Sequence, residues 1–225
     1  MLTFALDPTD ARVYVDDTAS NMDYFCPTCG SPVIPRKGEV RRHHFAHKGG
    51  GSCADGWSRS YDNSEWHHLW QERFPRENQE ITLTLGEVRH RADVLTETTV
   101  VDFQRSALTP EQFNERNTFY QDLDYKVVWL YDLRDAFREG ALREEPHKDA
   151  GLRFSWGNPR KAFRAYDLER GNVDLFLQLR GEGDGPCIVR PEDVSPNGFE
   201  TCPSYIKWCH LIYEGQGRLP FGAGR

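Results

Sequence analysis

The sequence predicts an α/β fold, a mixed sheet flanked by helices and preceded by a small β-rich module. Three observations carry this. Between Glu80 and Gln104 the runs EITLTL, VRHRADVL and TVVDFQ alternate apolar and polar residues with period two and are rich in β-branched side chains, as strands of an antiparallel meander are. Thr109-Pro110-Glu111 then opens a helix, with Thr as N-cap and Pro at the first position, and the helix carries Phe113, Phe119, Tyr120 and Leu123. Finally, KVVWLYDL from Lys126 is a continuous apolar run, the mark of a strand covered on both faces. Because it follows a crossover helix, it should run parallel to the strand that ends in Gln104.

The remaining elements follow in chain order. LTFALD and ARVYVD read as a hairpin turning at Pro8-Thr9-Asp10. Cys26-Pro27-Thr28-Cys29-Gly30 is a C-x2-C-G knuckle, whose glycine lets the backbone turn so that both thiolates face one ion. His44, His47 and Cys53 follow after a second turn, giving five candidates for the four positions of a tetrahedral zinc site. The preferred set is Cys26, Cys29, His47 and Cys53, with His44 as the alternative ligand. Structural Zn²⁺ contributes on the order of 10 kcal/mol to a small segment with little core of its own. Asp55 to Asp62 reads as a loop. Asn63 or Ser64 can cap a helix of sequence EWHHLWQERF, with Trp66, Leu69, Trp70 and Phe74 as its apolar stripe.

Beyond Arg138 the chain becomes highly charged and breaks at Pro146-His147-Lys148, which puts a boundary near 140. The expected organisation is a hairpin and zinc-binding module over 1–58, a core over 59–140 and a C-terminal extension over 141–225. Within the extension, RFSWGN, the segment AFRAYDLE and the strands NVDLFLQL and CIVR are visible, with a glycine-rich loop between Gly181 and Gly185 and a segment of helix or strand from Tyr205 to Tyr213. Cys187, Cys202, Cys209 and His210 match no metal-site spacing and read as ordinary thiols with a neighbouring histidine.

Composition bounds the function. The charged fraction of 28% and a mean hydropathy of −0.71 describe a soluble chain. No apolar run is long enough for a bilayer, and the start lacks the basic and apolar regions of a signal peptide, so the expectation is a cytoplasmic protein with reduced thiols and no membrane partner. A formal net charge of −7 argues against a general polyanion binder. Between Arg36 and Lys48, however, Arg36, Lys37, Arg41, Arg42 and Lys48 stand against the single acid Glu39, a local patch suited to phosphate backbones.

The chemistry is expected in the hairpin from Val88 to Ser106. If its turn is centred on Glu97 and Thr98, counting puts Asp93 opposite Asp102, and Gln104 on the same face as Asp102. Like charges facing each other across a sheet repel, so two carboxylates here ask for a cation, and oxygen ligands suit Mg²⁺ or Mn²⁺.

Glu65-Trp66-His67 with Trp70, Ala92-Asp93-Val94, Val101-Asp102-Phe103-Gln104 with Ser106, Glu115-Arg116 with Tyr120, and the strand from Tyr125 to Trp129 together resemble the nuclease core of the competence protein CoiA-like family. That family belongs to the PD-(D/E)XK nuclease superfamily. The resemblance extends over the cysteine/histidine segment and covers roughly the first 60% of the chain. It implies a restriction-endonuclease-like core and metal-dependent hydrolysis of DNA in uptake, recombination, repair or defence, with other DNA-processing proteins as partners. It further implies Glu65, Asp93 and Asp102 as Mg²⁺ or Mn²⁺ ligands, Gln104 where other members carry lysine, and His67, Arg116 and Tyr120 as supporting residues. Asp102 stands where the family pattern has glutamate. The alternative is a zinc-containing nucleic-acid-binding protein with a catalytically degenerate core.

Overall fold

The computed structural model describes residues 2–50, 53, 64–145, 152–157, 173–180, 188–195 and 198–201. The readings made for AFRAYDLE, for Gly181 to Gly185, for Tyr205 to Tyr213 and for Cys187, Cys202, Cys209 and His210 lie outside these residues. Among them, no helix is long and apolar enough to cross a membrane.

The N-terminal part is a five-stranded sheet in the order β2-β1-β3-β4-β5, built from β1 (Phe4–Leu6), β2 (Arg12–Tyr14), β3 (Tyr24–Phe25), β4 (Pro32–Arg36) and β5 (His44–His47). The expected hairpin is present, with Phe4 paired to Tyr14. Its small core gathers Leu2, Ala5, Val15, Tyr24, Val33 and Phe45 around Cys26.

Six strands make the central sheet, ordered β13-β12-β9-β8-β7-β6. β6 (Gln79–Leu85), β7 (Val88–Leu95) and β8 (Thr99–Gln104) form the antiparallel meander. β9 (Lys126–Asp132) pairs parallel to β8, as the crossover through α2 (Pro110–Gln121) requires. A full capping box fixes the start of α2: Thr109 Oγ1 accepts the Gln112 N–H, and Gln112 Oε1 accepts the Thr109 N–H. β12 (Val173–Gln178) lies parallel to β9, and β13 (Ile188–Val189) pairs antiparallel to β12. The central sheet thus continues past residue 140 into the C-terminal part, whose β12 pairs with the outer edge of β9 and adds Leu175 and Leu177 to one core and Phe176 to the other.

β9 shows the reason for its apolar run. Val127, Trp129 and Tyr131 face a core shared with Phe113, Phe119 and Tyr120 of α2. Val128 and Leu130 face a second core shared with Trp66 and Trp70 of α1 (Glu65–Gln71). A third sheet, β10-β11-β15-β14, is built from β10 (Leu142–Glu145), β11 (Leu152–Trp156), β14 (Pro191–Ser195) and β15 (Gly198–Thr201), and sends Leu142, Phe154 and Trp156 into the α2-side core. A short helix absent from the sequence reading, α3 (Arg134–Arg138), follows β9.

The helix expected from Glu65 to Phe74 ends at Gln71, and one position of its stripe departs from expectation. Leu69 is 44% exposed while His67, His68 and Gln71 are buried. The helix lies between the sheet and the N-terminal module, and of its residues only Glu65 and Leu69 are exposed.

Candidate active site and metal centre

The hairpin register pairs Val94 with Val101 and Leu95 with Val100, which carries Asp93 to the position opposite Asp102. The regular ladder stops there. The Phe103 N–H donates to Asp93 Oδ2 at 2.8 Å, and the Asp93 N–H points at Asp102 Oδ1 at 3.4 Å. Side-chain oxygens therefore take the place of main-chain partners at a fork between β7 and β8, and both carboxylates are buried, at 7% and 4% exposure.

Their surroundings push the two apart electrostatically. Burial drives the Asp93 carboxyl up, but the His67 ring, the hydrogen bond it makes, the Phe103 amide and Arg91 outweigh this and hold Asp93 below the ordinary value. Burial first, then the charge of Asp93, push Asp102 up to about 7, against the pull of Arg116 and the Asp93 amide. Asp102 Oδ2 is buried and has no hydrogen-bond partner among the described residues. A buried carboxylate oxygen left open beside a second carboxylate is the chemistry of a cation ligand pair, and the two residues fit a hard divalent ion.

Helix α1 sets the first of these residues. Ser64 caps it by accepting the His67 N–H. At 100° per residue, His67 and Gln71 fall on one face: His67 Nε2 lies 3.3 Å from Asp93 Oδ1, and Gln71 Nε2 donates to the Asp93 carbonyl at 3.0 Å. Trp66 and Trp70 occupy the neighbouring face, and both indole N–H groups donate to Gln178 Oε1, at 2.6 and 2.9 Å. Glu65 is two positions before His67, roughly 200° round the helix, and is exposed. Glu65, Asp93 and Asp102 do not gather as a three-ligand group among the described residues, and His67 is the α1 residue that meets Asp93.

The other expected residues are distributed unevenly. Gln104 is 2% exposed, but its amide is committed to Ser106, donating to the carbonyl at 2.6 Å and to Oγ at 2.7 Å. Arg116 is buried with its guanidinium 5.9 Å from the Trp129 ring centre, and its charge acts on Asp102. Tyr120 is wholly buried in the α2-side core against Phe119, where it packs. The cations near Gln104 in sequence and on the neighbouring strand are held by other acids: Lys126 Nζ by Asp174 at 2.6 Å, and Arg105 by Asp135 at 2.8 Å.

In the N-terminal part, one ligand atom from each of Cys26, Cys29, His47 and Cys53 lies within 4.8 Å of all the others. The three cysteines are free thiols. Cys26 is drawn down to about 4 by the sulfur of Cys53, 3.8 Å away, with the amides of Cys29 and Thr28 assisting against burial. Burial pushes Cys29 up, but Ser31 and His47 hold it below the ordinary thiol range. His47 Nε2 sits 3.2 Å from Cys29 Sγ, and these sulfurs raise the ring's pKa against burial. The four can hold one tetrahedral metal ion. His44 is not among them; its Nδ1 faces the Arg42 carbonyl at 2.9 Å.

A cleft of about 700 Å³ runs between this module and α1, lined by Arg41, Arg42, Arg76, Tyr14, His68 and Gln71 among others. Arg42 pairs with Glu72 across it. Arg36, Lys37 and Lys48 are exposed and do not line it. Sequence reasoning missed Gln71, His68 and Gln178. The i, i+4 spacing of His67 and Gln71 was a readable signal, whereas Gln178 is 112 residues from Trp66 and carried none.

Two family models match the chain: competence protein CoiA, N-terminal domain, over residues 10–55, and competence protein CoiA, nuclease-like domain, over residues 72–145. The first span contains the Cys/His group and the basic run, and the second contains Asp93, Asp102, Gln104, Arg116 and Tyr120. Comparison with curated proteins and with solved structures gives no match. With both domains matched in one chain and more than half of its residues covered, the chain belongs to the CoiA-like competence protein family and carries that family's nuclease-like core.

Proposed function

We propose that the chain is a divalent-metal-dependent deoxyribonuclease of the PD-(D/E)XK type. The observation that carries this reading is the open, buried Asp102 Oδ2 beside the Asp93 carboxylate. Asp93 and Asp102 would hold Mg²⁺ or Mn²⁺, which supplies a bound water of lowered pKa and offsets charge on the phosphorane-like transition state. His67 keeps Asp93 ionised and fixed, with the Phe103 amide holding its second oxygen. Arg116 counters the charge that Asp102 acquires when it gives up its proton. In the N-terminal module, Zn²⁺ on Cys26, Cys29, His47 and Cys53 would hold β4 and β5 together and present Arg41 and Arg42 to the DNA backbone at the cleft. Gln71 links that cleft to the catalytic strand through the Asp93 carbonyl.

A second reading, a nucleic-acid-binding protein with a degenerate core, is favoured by the exposed Glu65 and by a Gln104 amide turned to Ser106. Incubation of single- and double-stranded DNA with the protein and Mn²⁺ separates the two. Cleavage that disappears in Asp93→Ala supports the nuclease; retention of DNA without cleavage in either protein supports the degenerate core.

A further inference from the structure

β6 and β7 pair regularly on both sides of one point. Gln79 is opposite Val94 and Ile81 is opposite Ala92, but Glu80 and Asp93, which lie between them, do not pair. Each strand is irregular at that point. Glu80 has φ +54, in the left-handed region that a residue with a side chain rarely occupies. On β7, Ala92 belongs to the α2-side core and Val94 to the α1-side core, although residues two apart in a flat strand share a face. The strand rolls over at Asp93.

Glu80 is buried at 3% exposure and its carboxylate is held from the N-terminal module. The Thr3 N–H donates to Glu80 Oε2 at 2.8 Å, and the Thr3 hydroxyl donates to the same oxygen. Arg91 Nη1 lies 3.9 Å from Oε1. Around this anchor, Arg12 donates to the carbonyls of Arg76, Glu77 and Gln79, so the strand entering Glu80 is fastened as well.

We propose that Glu80 is a positioning residue for the Asp93–Asp102 pair: Thr3 anchors its carboxylate, the anchored residue keeps its left-handed backbone, and that turn rolls Asp93 out of the ladder towards Asp102 and His67. The N-terminal module is therefore part of what builds the catalytic fork, independently of any contact it makes with DNA. This inference rests on Asp93 being a working carboxylate, and it has a readout that does not. The Phe103 N–H donates to Asp93 Oδ2, so its exchange with solvent reports where the Asp93 side chain is.

The experiment compares the full chain with Glu80→Ala, Glu80→Gly and Glu80→Gln, measuring amide exchange at Phe103 against Val101 and the affinity for Mn²⁺ with the cysteine site kept in Zn²⁺. Alanine keeps the left-handed strain and loses the anchor, so the backbone relaxes, Phe103 exchanges faster and Mn²⁺ affinity falls about tenfold to a hundredfold. Glycine occupies the left-handed region freely, and glutamine still accepts from Thr3, so both keep Phe103 protected. Should Glu80→Ala fail to fold, Thr3→Val, which removes the hydroxyl donor, is measured in its place with the same expected signs. Unchanged Phe103 exchange in the alanine variant, or glycine as damaging as alanine, overturns the proposal. If Phe103 responds as stated while the parent chain neither binds Mn²⁺ nor cuts DNA, the positioning role stands and the nuclease reading falls.

Discussion

Asp102 keeps its proton to about pH 7 because it is buried against Asp93, and this has a consequence for stability that can be measured. Its folded value lies above the ordinary 3.8, so folding favours the neutral form. The resulting stabilisation is complete below about pH 4 and is lost as the pH rises through 7. Asp102→Asn, which cannot ionise, should therefore exceed the parent in stability at pH 8 by up to a few kcal/mol in metal-free urea unfolding, and match it near pH 4. His68 works in the opposite sense. Burial, with the charges of His67 and Arg42, draws it down to about 4 from 6.5, so its contribution is present above pH 6.5 and is lost as the pH falls through 4. Thermal unfolding between pH 7 and 4 should show a shallower acid limb in His68→Phe than in the parent. At this scale the sequence was partly legible. Counting from the Glu97-Thr98 turn put Asp93 opposite Asp102, because a tight hairpin fixes register. The exposure of Glu65 and the inward turn of His67 were not legible, because a motif identifies residue types, whereas the helix phase goes with the paired anchoring of Trp66 and Trp70.

The two tryptophans of helix α1 share one acceptor. Gln178 Oε1 takes both indole N–H groups, and Gln178 is itself 3% exposed, with Nε2 donating to the Arg180 carbonyl. Gln178→Leu strands two buried donors and should cost about 2–5 kcal/mol, whereas Gln178→Glu keeps an acceptor and should cost less; urea midpoints rank the two. The capping box of α2 is a smaller and cleaner case. Thr109→Ala should cost about 1 kcal/mol, read from the same unfolding curves. Strand periods, the Thr-Pro-Glu helix start and the parallel β8–β9 pairing were readable because local chemistry and burial agree there. The roll of β7 at Asp93 was not, since a period-two pattern has no term for a left-handed residue on the neighbouring strand.

At the scale of the whole molecule, the N-terminal module caps the open edge of the central sheet. β6 is the edge strand, and the module reaches it through Thr3 to Glu80, Arg12 to the carbonyls of Arg76 to Gln79, and Thr28 Oγ1 to Thr82 Oγ1 at 3.0 Å. Thr28 stands between Cys26 and Cys29, so the order of the knuckle and the covering of the edge are linked. Cys29→Ser should lose one equivalent of zinc by metal analysis and raise amide exchange in β6. The Cys/His cluster was visible in the sequence from the cysteine spacing, but the contribution of Val173–Gln178 to the central sheet was not, because a parallel partner can come from any later point in the chain. All of these layers converge on whether Asp93 and Asp102 share one cation. Calorimetric titration of Mn²⁺ into the zinc-loaded protein at pH 6 and pH 8 tests this directly. The account predicts one site that is tighter at pH 8, releases a proton at pH 6, and is lost in Asp93→Ala and in Asp102→Asn. Binding of equal strength in the parent and both variants would contradict it.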